Sequence, residues 1–197
     1  MRALVLQASP RKNGNTATLV ERFLAGLVGG GAQDVCAQDV REFWLNDLDI
    51  RPCQGCFRCA GEPSCVIDDD MQQIYPEIVA ADLVVFATPI YWWHMNAQMK
   101  LCIDRMTALL GEGDTLPALT GKHIVLVVTY NFADCAKATK DMFSDFVEWI
   151  NVKLDVLEYC SREGHVSGCE SKLEEAFGLG QKLAQGWTNV DSAVDWE

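Results

Sequence analysis

Short strand-like runs alternate with helical periodicity five times along this chain, and that alternation limits what it can fold into more than any other feature. The apolar run Arg2–Ala8 ends at Ser9-Pro10, and apolar residues then recur at helical spacing over Ala17–Leu27. A second strand is expected over Arg41–Leu45, ending before Asp47 and the Pro52-Cys53 turn. Asp68, Asp69 and Asp70 offer an N-cap to a helix over Met71–Ala80 and place carboxylates at its positive end, so a helix start accounts for them. The segments Asp82–Pro89 and His123–Tyr130 are almost continuously apolar, as central parallel strands covered on both faces must be. Helical spacing over Asn96–Leu110 and Ala136–Asn151, a strand near Leu154–Cys160 and a helix near Glu170–Ala184 complete the pattern. Right-handed crossovers put the intervening helices on both faces of such a sheet, which predicts a doubly wound α/β fold with five parallel strands.

The chain has 197 residues, 49% of them apolar, which suits one domain over residues 1–197. No repeat or linker divides it; a cysteine-rich insertion occupies 53–65, and Trp187–Glu197 lacks periodicity and is expected to pack loosely or touch another subunit. Sixteen Lys and Arg against 28 Asp and Glu leave a net charge of −12, which repels a phosphate backbone or an anionic leaflet, so neither nucleic acid nor a membrane is an expected partner. The N-terminus lacks signal-peptide architecture and no apolar run approaches a bilayer span, so a cytoplasmic location is expected. Nine cysteines, an odd count, cannot all pair within the chain. Cys36, Cys102, Cys135, Cys160 and Cys169 are scattered among core elements and read as small buried hydrophobes.

In doubly wound sheets ligands bind beyond the carboxyl ends of the strands. The first such loop, Ser9-Pro10-Arg11-Lys12-Asn13-Gly14-Asn15-Thr16, supplies hydroxyls, the amides of Asn13 and Asn15, a glycine for close backbone approach and a helix start. Those are the donors a phosphate needs at a helix N-terminus. The loop is neither a GxGxxG fingerprint nor a Walker loop, which disfavours a dinucleotide Rossmann site or an NTPase and leaves a flavin monophosphate as the better fit.

The run Ala8–Thr16 resembles the GSPRxxGNT phosphate loop of the NADPH-dependent FMN reductase family, with Ala8 in place of the leading glycine. The resemblance implies a flavodoxin-like fold and assigns the FMN phosphate to Ser9, Arg11, Asn15 and Thr16. Thr88-Pro89-Ile90-Tyr91-Trp92 resembles the family's TPxYW loop, which implies that Pro89, Ile90, Tyr91 and Trp92 border the isoalloxazine ring. Asn96 to Arg105 resembles the SAxxKxxxDR helix, with Asn96 where serine is common, and reads as structural. Tyr130 and Asn131 stand where a third flavin-edge loop belongs.

Cys53, Cys56, Cys59 and Cys65 follow the spacing C-x2-C-x2-C-x5-C, close enough to converge on one soft metal centre. Structural zinc more often uses two separated C-x2-C knuckles, so even steps suit an iron-sulfur cubane better, while unligated thiols shaping the substrate side stay open. The same spacing in the same place resembles the iron-sulfur flavoprotein branch of the family, which implies a 4Fe-4S cluster on these four cysteines. The combined expectation is an FMN-dependent NAD(P)H oxidoreductase delivering electrons to a small-molecule acceptor or redox protein, with the flavin supplying the chemistry and no catalytic side chain required. The alternative is an iron-sulfur flavoprotein that carries electrons between partner proteins. His94 reads either as a proton donor to a quinone or as a helix-start residue. The family resemblance also implies a homodimer or homotetramer.

Overall fold

The computed structural model describes residues 1–29, 39–59, 65–132 and 134–186. β1 (Ala3–Gln7) leads to α1 (Asn15–Gly29), and β2 (Val40–Trp44) is followed by α2 (Met71–Ala80). β3 (Leu83–Tyr91) and β4 (His94–Met95) precede α3 (Ala97–Arg105); β5 (His123–Tyr130), α4 (Lys137–Trp149), β6 (Lys153–Cys160) and α5 (Glu170–Gly186) follow. The parallel strands lie in the order β2-β1-β3-β5-β6, the flavodoxin-like winding. β4 pairs antiparallel with the end of β3. Cys36 and Trp187–Glu197 fall outside the described residues.

Alternation within the apolar strands builds two cores, because successive side chains point to opposite faces. Ala3 and Val5 of β1, with Val125 and Val127 of β5, pack under Leu19, Phe23 and Leu27 of α1 and Ala176 and Leu183 of α5. Leu4 and Leu6, with Phe86, Ile124 and Leu126, face Ile74 and Ile78 of α2, Met99 of α3 and Phe143 of α4. Both faces are therefore dry, which explains why β1, β3 and β5 read as unbroken apolar runs. Among the described residues no helix is long and apolar enough to cross a membrane.

The helix termini differ from the sequence reading in instructive ways. α1 begins at Asn15, two residues early, because the Gly14 carbonyl already accepts the Thr18 N–H at 3.0 Å. Asp70 holds the cap position of α2 without capping it by its side chain; Asp69 does so, accepting the Met71 N–H at 3.1 Å. The α-helix that begins at Ala97 stops at Arg105 and tightens into a 3-10 turn over Met106–Leu109.

Candidate functional site

The loop after β1 is shaped by its own backbone. The buried Ser9 Oγ accepts the Arg11 N–H at 3.2 Å, and the Gly14 N–H donates to the Arg11 carbonyl at 3.1 Å, closing a turn. A Cβ on Gly14 would sit 3.0 Å from the Arg11 Cβ and 3.2 Å from its carbonyl oxygen, so a side chain there would push the turn open by a few tenths of an ångström. α1 starts at Asn15, and the first N–H groups of a helix have no acceptor within it. A concave row of donors at a positive helix end is the setting that binds a phosphate group. Lys12 is drawn away, paired with Asp47 at 2.5 Å and lying over the Trp44 ring at 5.4 Å. The exposed Arg11 has no ion-pair partner among the described residues and is the loop's remaining cation.

Thr16 turns inward, its hydroxyl 2.7 Å from that of Thr129 near the end of β5. Asn15 Oδ1 accepts the Val166 N–H at 2.8 Å. The Asn13 carbonyl lies 3.1 Å from His165 Nε2. His165 Nδ1 accepts the Ser167 N–H at 3.2 Å, so Nε2 carries the proton and donates to Asn13. These contacts brace the loop from the segment before α5, and nothing local in sequence marks them.

At the same sheet edge, Ile90, Tyr91, Trp92, Trp93, Asn131, Phe132 and Cys135 line a cavity of about 450 Å³, within the range of small-molecule sites. No lining residue is charged. β3 and β4 form a hairpin in which Tyr91 pairs with His94, and Trp92 and Trp93 make its two-residue turn with φ of +49° and +63°. Such turns call for Asn and Gly, and two tryptophans in left-handed conformation carry strain of about 1 kcal/mol or more each. Trp92 is 90% exposed and Phe132 66% exposed, so free-protein packing does not account for them. Pro89 precedes the cavity. Tyr130 points away, its phenol donating to Glu158 Oε2 at 3.3 Å; burial and then the Glu158 carboxylate push it up to about 12. His94 sits in β4 outside the lining.

One buried side chain unites the two halves of this edge. Asn96 Nδ2 donates to the Ala8 carbonyl at 2.6 Å, its Oδ1 caps α3 by accepting the Met99 N–H at 3.2 Å, and its N–H donates to Thr88 Oγ1 at 3.2 Å. A serine, with a shorter side chain and no amide, could not make all of these contacts at once.

Cys53 and Cys56 are exposed thiols, and Cys59 and Cys65 are partly covered. Among the described residues no three His, Cys, Asp or Glu side chains stand in ligating geometry. Burial pushes the Cys59 thiol up, and the neighbouring Cys65, Cys53 and Cys56 raise it further. The chemistry of the donor set, thiols with no imidazole beside them, fits a soft metal or an iron-sulfur group.

The sequence model of the NADPH-dependent FMN reductase family matches residues 1–157. An iron-sulfur flavoprotein of Archaeoglobus fulgidus is 33% identical over 130 residues, covering 66% of this chain and 54% of its own. YwqN of Bacillus subtilis, assigned by name to the NAD(P)H-dependent FMN-containing oxidoreductases, is 33% identical over 113 residues, covering 57% and 55%. The chain thus spans about half the length of the curated relatives it matches. A solved NAD(P)H:quinone oxidoreductase from Methanothermobacter marburgensis superposes with a TM-score of 0.71 at 19% identity, covering 93% of this chain and 96% of its own, which speaks to fold alone.

Proposed function

The chain belongs to the NADPH-dependent FMN reductase family, and from that premise we propose that it is a single-domain FMN-dependent NAD(P)H oxidoreductase, passing electrons from a reduced nicotinamide to a small-molecule acceptor. The observation that carries the reading is the pairing, on one sheet edge, of a tight glycine-containing loop at a helix start with an uncharged aromatic cavity, the two halves tied through Asn96. Ser9, Arg11, Asn13, Asn15 and Thr16 would hold the FMN phosphate. Arg11 supplies charge, while Asn13, Asn15 and Thr16 contribute through backbone donors whose orientation their bound side chains and carbonyls fix. Pro89, Ile90, Tyr91 and Trp92, with Asn131 and the strand end at Tyr130, would border the ring system, and the cavity lining would exclude water from it. When bound, FMN supplies a two-electron centre that takes hydride from a nicotinamide and gives electrons onward.

An uncharged, aromatic-walled cavity suits planar apolar acceptors, which stack on Trp and Phe faces. The exposed Trp92, Trp93 and Phe132 support assembly as a homodimer or homotetramer. Eight free cysteines among the described residues suit the reducing cytoplasm. A second reading, an iron-sulfur flavoprotein carrying electrons between proteins, is favoured by the four free thiols clustered within 53–65.

Anaerobic purification, an absorption spectrum with FMN, iron, zinc and sulfide analysis, and steady-state NAD(P)H oxidation test both. Flavin bands with turnover of a quinone or free flavin are expected of the oxidoreductase. Flavin with stoichiometric iron and sulfide but almost no turnover would give the carrier reading precedence, and protein that neither holds flavin nor oxidises NAD(P)H would refute both.

A further inference from the structure

The cysteine loop is closed at its base by one buried guanidinium. Arg105, the last residue of α3, is 1% exposed. Its Nη1 donates to the Arg51 carbonyl at 2.9 Å and to Asp69 Oδ2 at 2.5 Å. Its Nη2 donates to Asp69 Oδ1 at 3.0 Å and reaches the Ile67 carbonyl at 3.4 Å. Asp69, whose side chain has no exposed surface, also accepts the Arg51 N–H at 2.9 Å. One step outward the Asp49 N–H donates to Asp70 Oδ2 at 2.7 Å, and the Asp70 N–H returns to the Asp49 carbonyl at 3.1 Å. The stems 49–51 and 67–70 are thereby fastened to each other and to the end of α3.

The fastening sits where the cysteines need it. Cys53 lies two residues beyond the Arg51 anchor and Cys65 two residues before the Ile67 anchor. Gln72 Nε2 holds the carbonyls of Cys65 and Ile67, each at 2.8 Å. The Cys59 thiol reaches toward the Thr107 carbonyl at 3.9 Å, two residues past Arg105. A buried ion pair is weak support for stability, since apolar residues of like volume often replace one without loss. Its worth lies in specifying geometry, and here it fixes against each other the two stems that lead to Cys53 and Cys65.

We propose that Arg105 is a positioning residue for a soft-metal centre on Cys53, Cys56, Cys59 and Cys65. It holds the carbonyls of Arg51 and Ile67 together with the Asp69 carboxylate on one planar fork. The assignment rests on the metal-binding reading of the cysteines and adds a residue outside the ligand set. A planar guanidinium can bridge two carbonyls and a bidentate carboxylate at once, which an ammonium cannot. Groups that orient metal ligands from behind typically contribute 10–100-fold in metal affinity.

The test uses the full chain, FMN-loaded and stripped of metal under reducing anaerobic conditions, titrated with Cd²⁺ alone and read by thiolate-to-metal absorption against a competing chelator. Wild type is expected to take one Cd²⁺. R105Q, which keeps length but loses charge and fork, should bind it about 10–100-fold more weakly while retaining FMN. R105K should recover part of that affinity, and it carries the test if R105Q fails to fold. Variants binding Cd²⁺ as tightly as wild type would overturn the positioning role alone. Loss of FMN and metal together would reduce Arg105 to a general core residue and overturn it as well. Wild type that binds no Cd²⁺ would instead remove the metal-binding reading, and the inference with it.

Discussion

Replacing Gly180 with alanine would place a Cβ 2.2 Å from the Phe23 carbonyl oxygen and 2.6 Å from the Leu27 nitrogen. Across the same crossing, a Cβ on Gly26 would meet the Phe177 carbonyl oxygen at 2.0 Å. Ordinary contact begins near 3.4 Å, and the obstructing atoms are helix backbone that cannot rotate aside. α1 and α5 must therefore part by about an ångström, a gap that forfeits a quarter to a half of each contact's attraction along the seam. Phe23, Leu27, Ala176 and Leu183 lie on that seam. Overpacking of this kind costs about 3 kcal/mol or more, and the gain of about 1 kcal/mol in helix propensity offsets only part. A net loss of about 2–3 kcal/mol lowers Tm by roughly 4–12 °C in a chain of this size. Gly178, two residues away in the same helix, is exposed with nothing within 4 Å of its would-be Cβ, so G178A should gain up to about 1 kcal/mol. Thermal melts of the two variants beside wild type decide the matter. G180A melting at or above wild type would refute the backbone contact. Because α1 opens at the phosphate loop and the turn before α5 braces it, G180A should also weaken FMN binding.

Trp92→Asn relieves a left-handed tryptophan that is 90% exposed, so the apo protein should melt at or slightly above the wild-type temperature while FMN affinity falls about tenfold; a loss of stability of core size would contradict the hairpin strain. Asp69→Asn should cost about 3 kcal/mol or more in denaturant unfolding by leaving the buried Arg105 charge uncompensated. Burial alone would raise the Asp69 carboxyl, but hydrogen bonds from Arg105, Arg51 and Met71 carry it below its ordinary value. Its stabilisation is therefore complete above the unfolded value near 4 and lost as pH falls through the lower folded value, so D69N should flatten the acid limb of the stability profile. Asn96→Ala would strip the Ala8 carbonyl and the α3 cap of their partner, costing about 2–4 kcal/mol by thermal or denaturant melt and loosening phosphate loop and hairpin together.

The parallel strands were legible because a sheet covered on both faces leaves its central strands almost wholly apolar, as Leu83–Ala87 and His123–Val128 show. The loop after β1 was legible as a candidate phosphate site because its turn and helix start are built within eight consecutive residues. The β3-β4 hairpin was not, since Trp92 and Trp93 carry none of the Asn and Gly signals of a two-residue turn. The Asp69–Arg105 clamp joins residues 36 apart, and the aspartates looked sufficient as a helix start. Trp93, Phe132 and Cys135 complete the cavity from positions that only the winding of β3 and β5 brings together. The cysteine spacing showed four candidate ligands, while what holds their loop closed is tertiary.

Calorimetric titration of the apo protein with FMN and, in parallel, with riboflavin bears most directly on the central claim, because the two ligands differ only in the phosphate that the loop at Ser9–Thr16 would hold. Charge-assisted donors at a helix N-terminus predict FMN binding at least about 100-fold tighter than riboflavin, and a G14A variant should erase much of that difference without changing riboflavin affinity. Equal affinity for the two, or no binding of either, would contradict it.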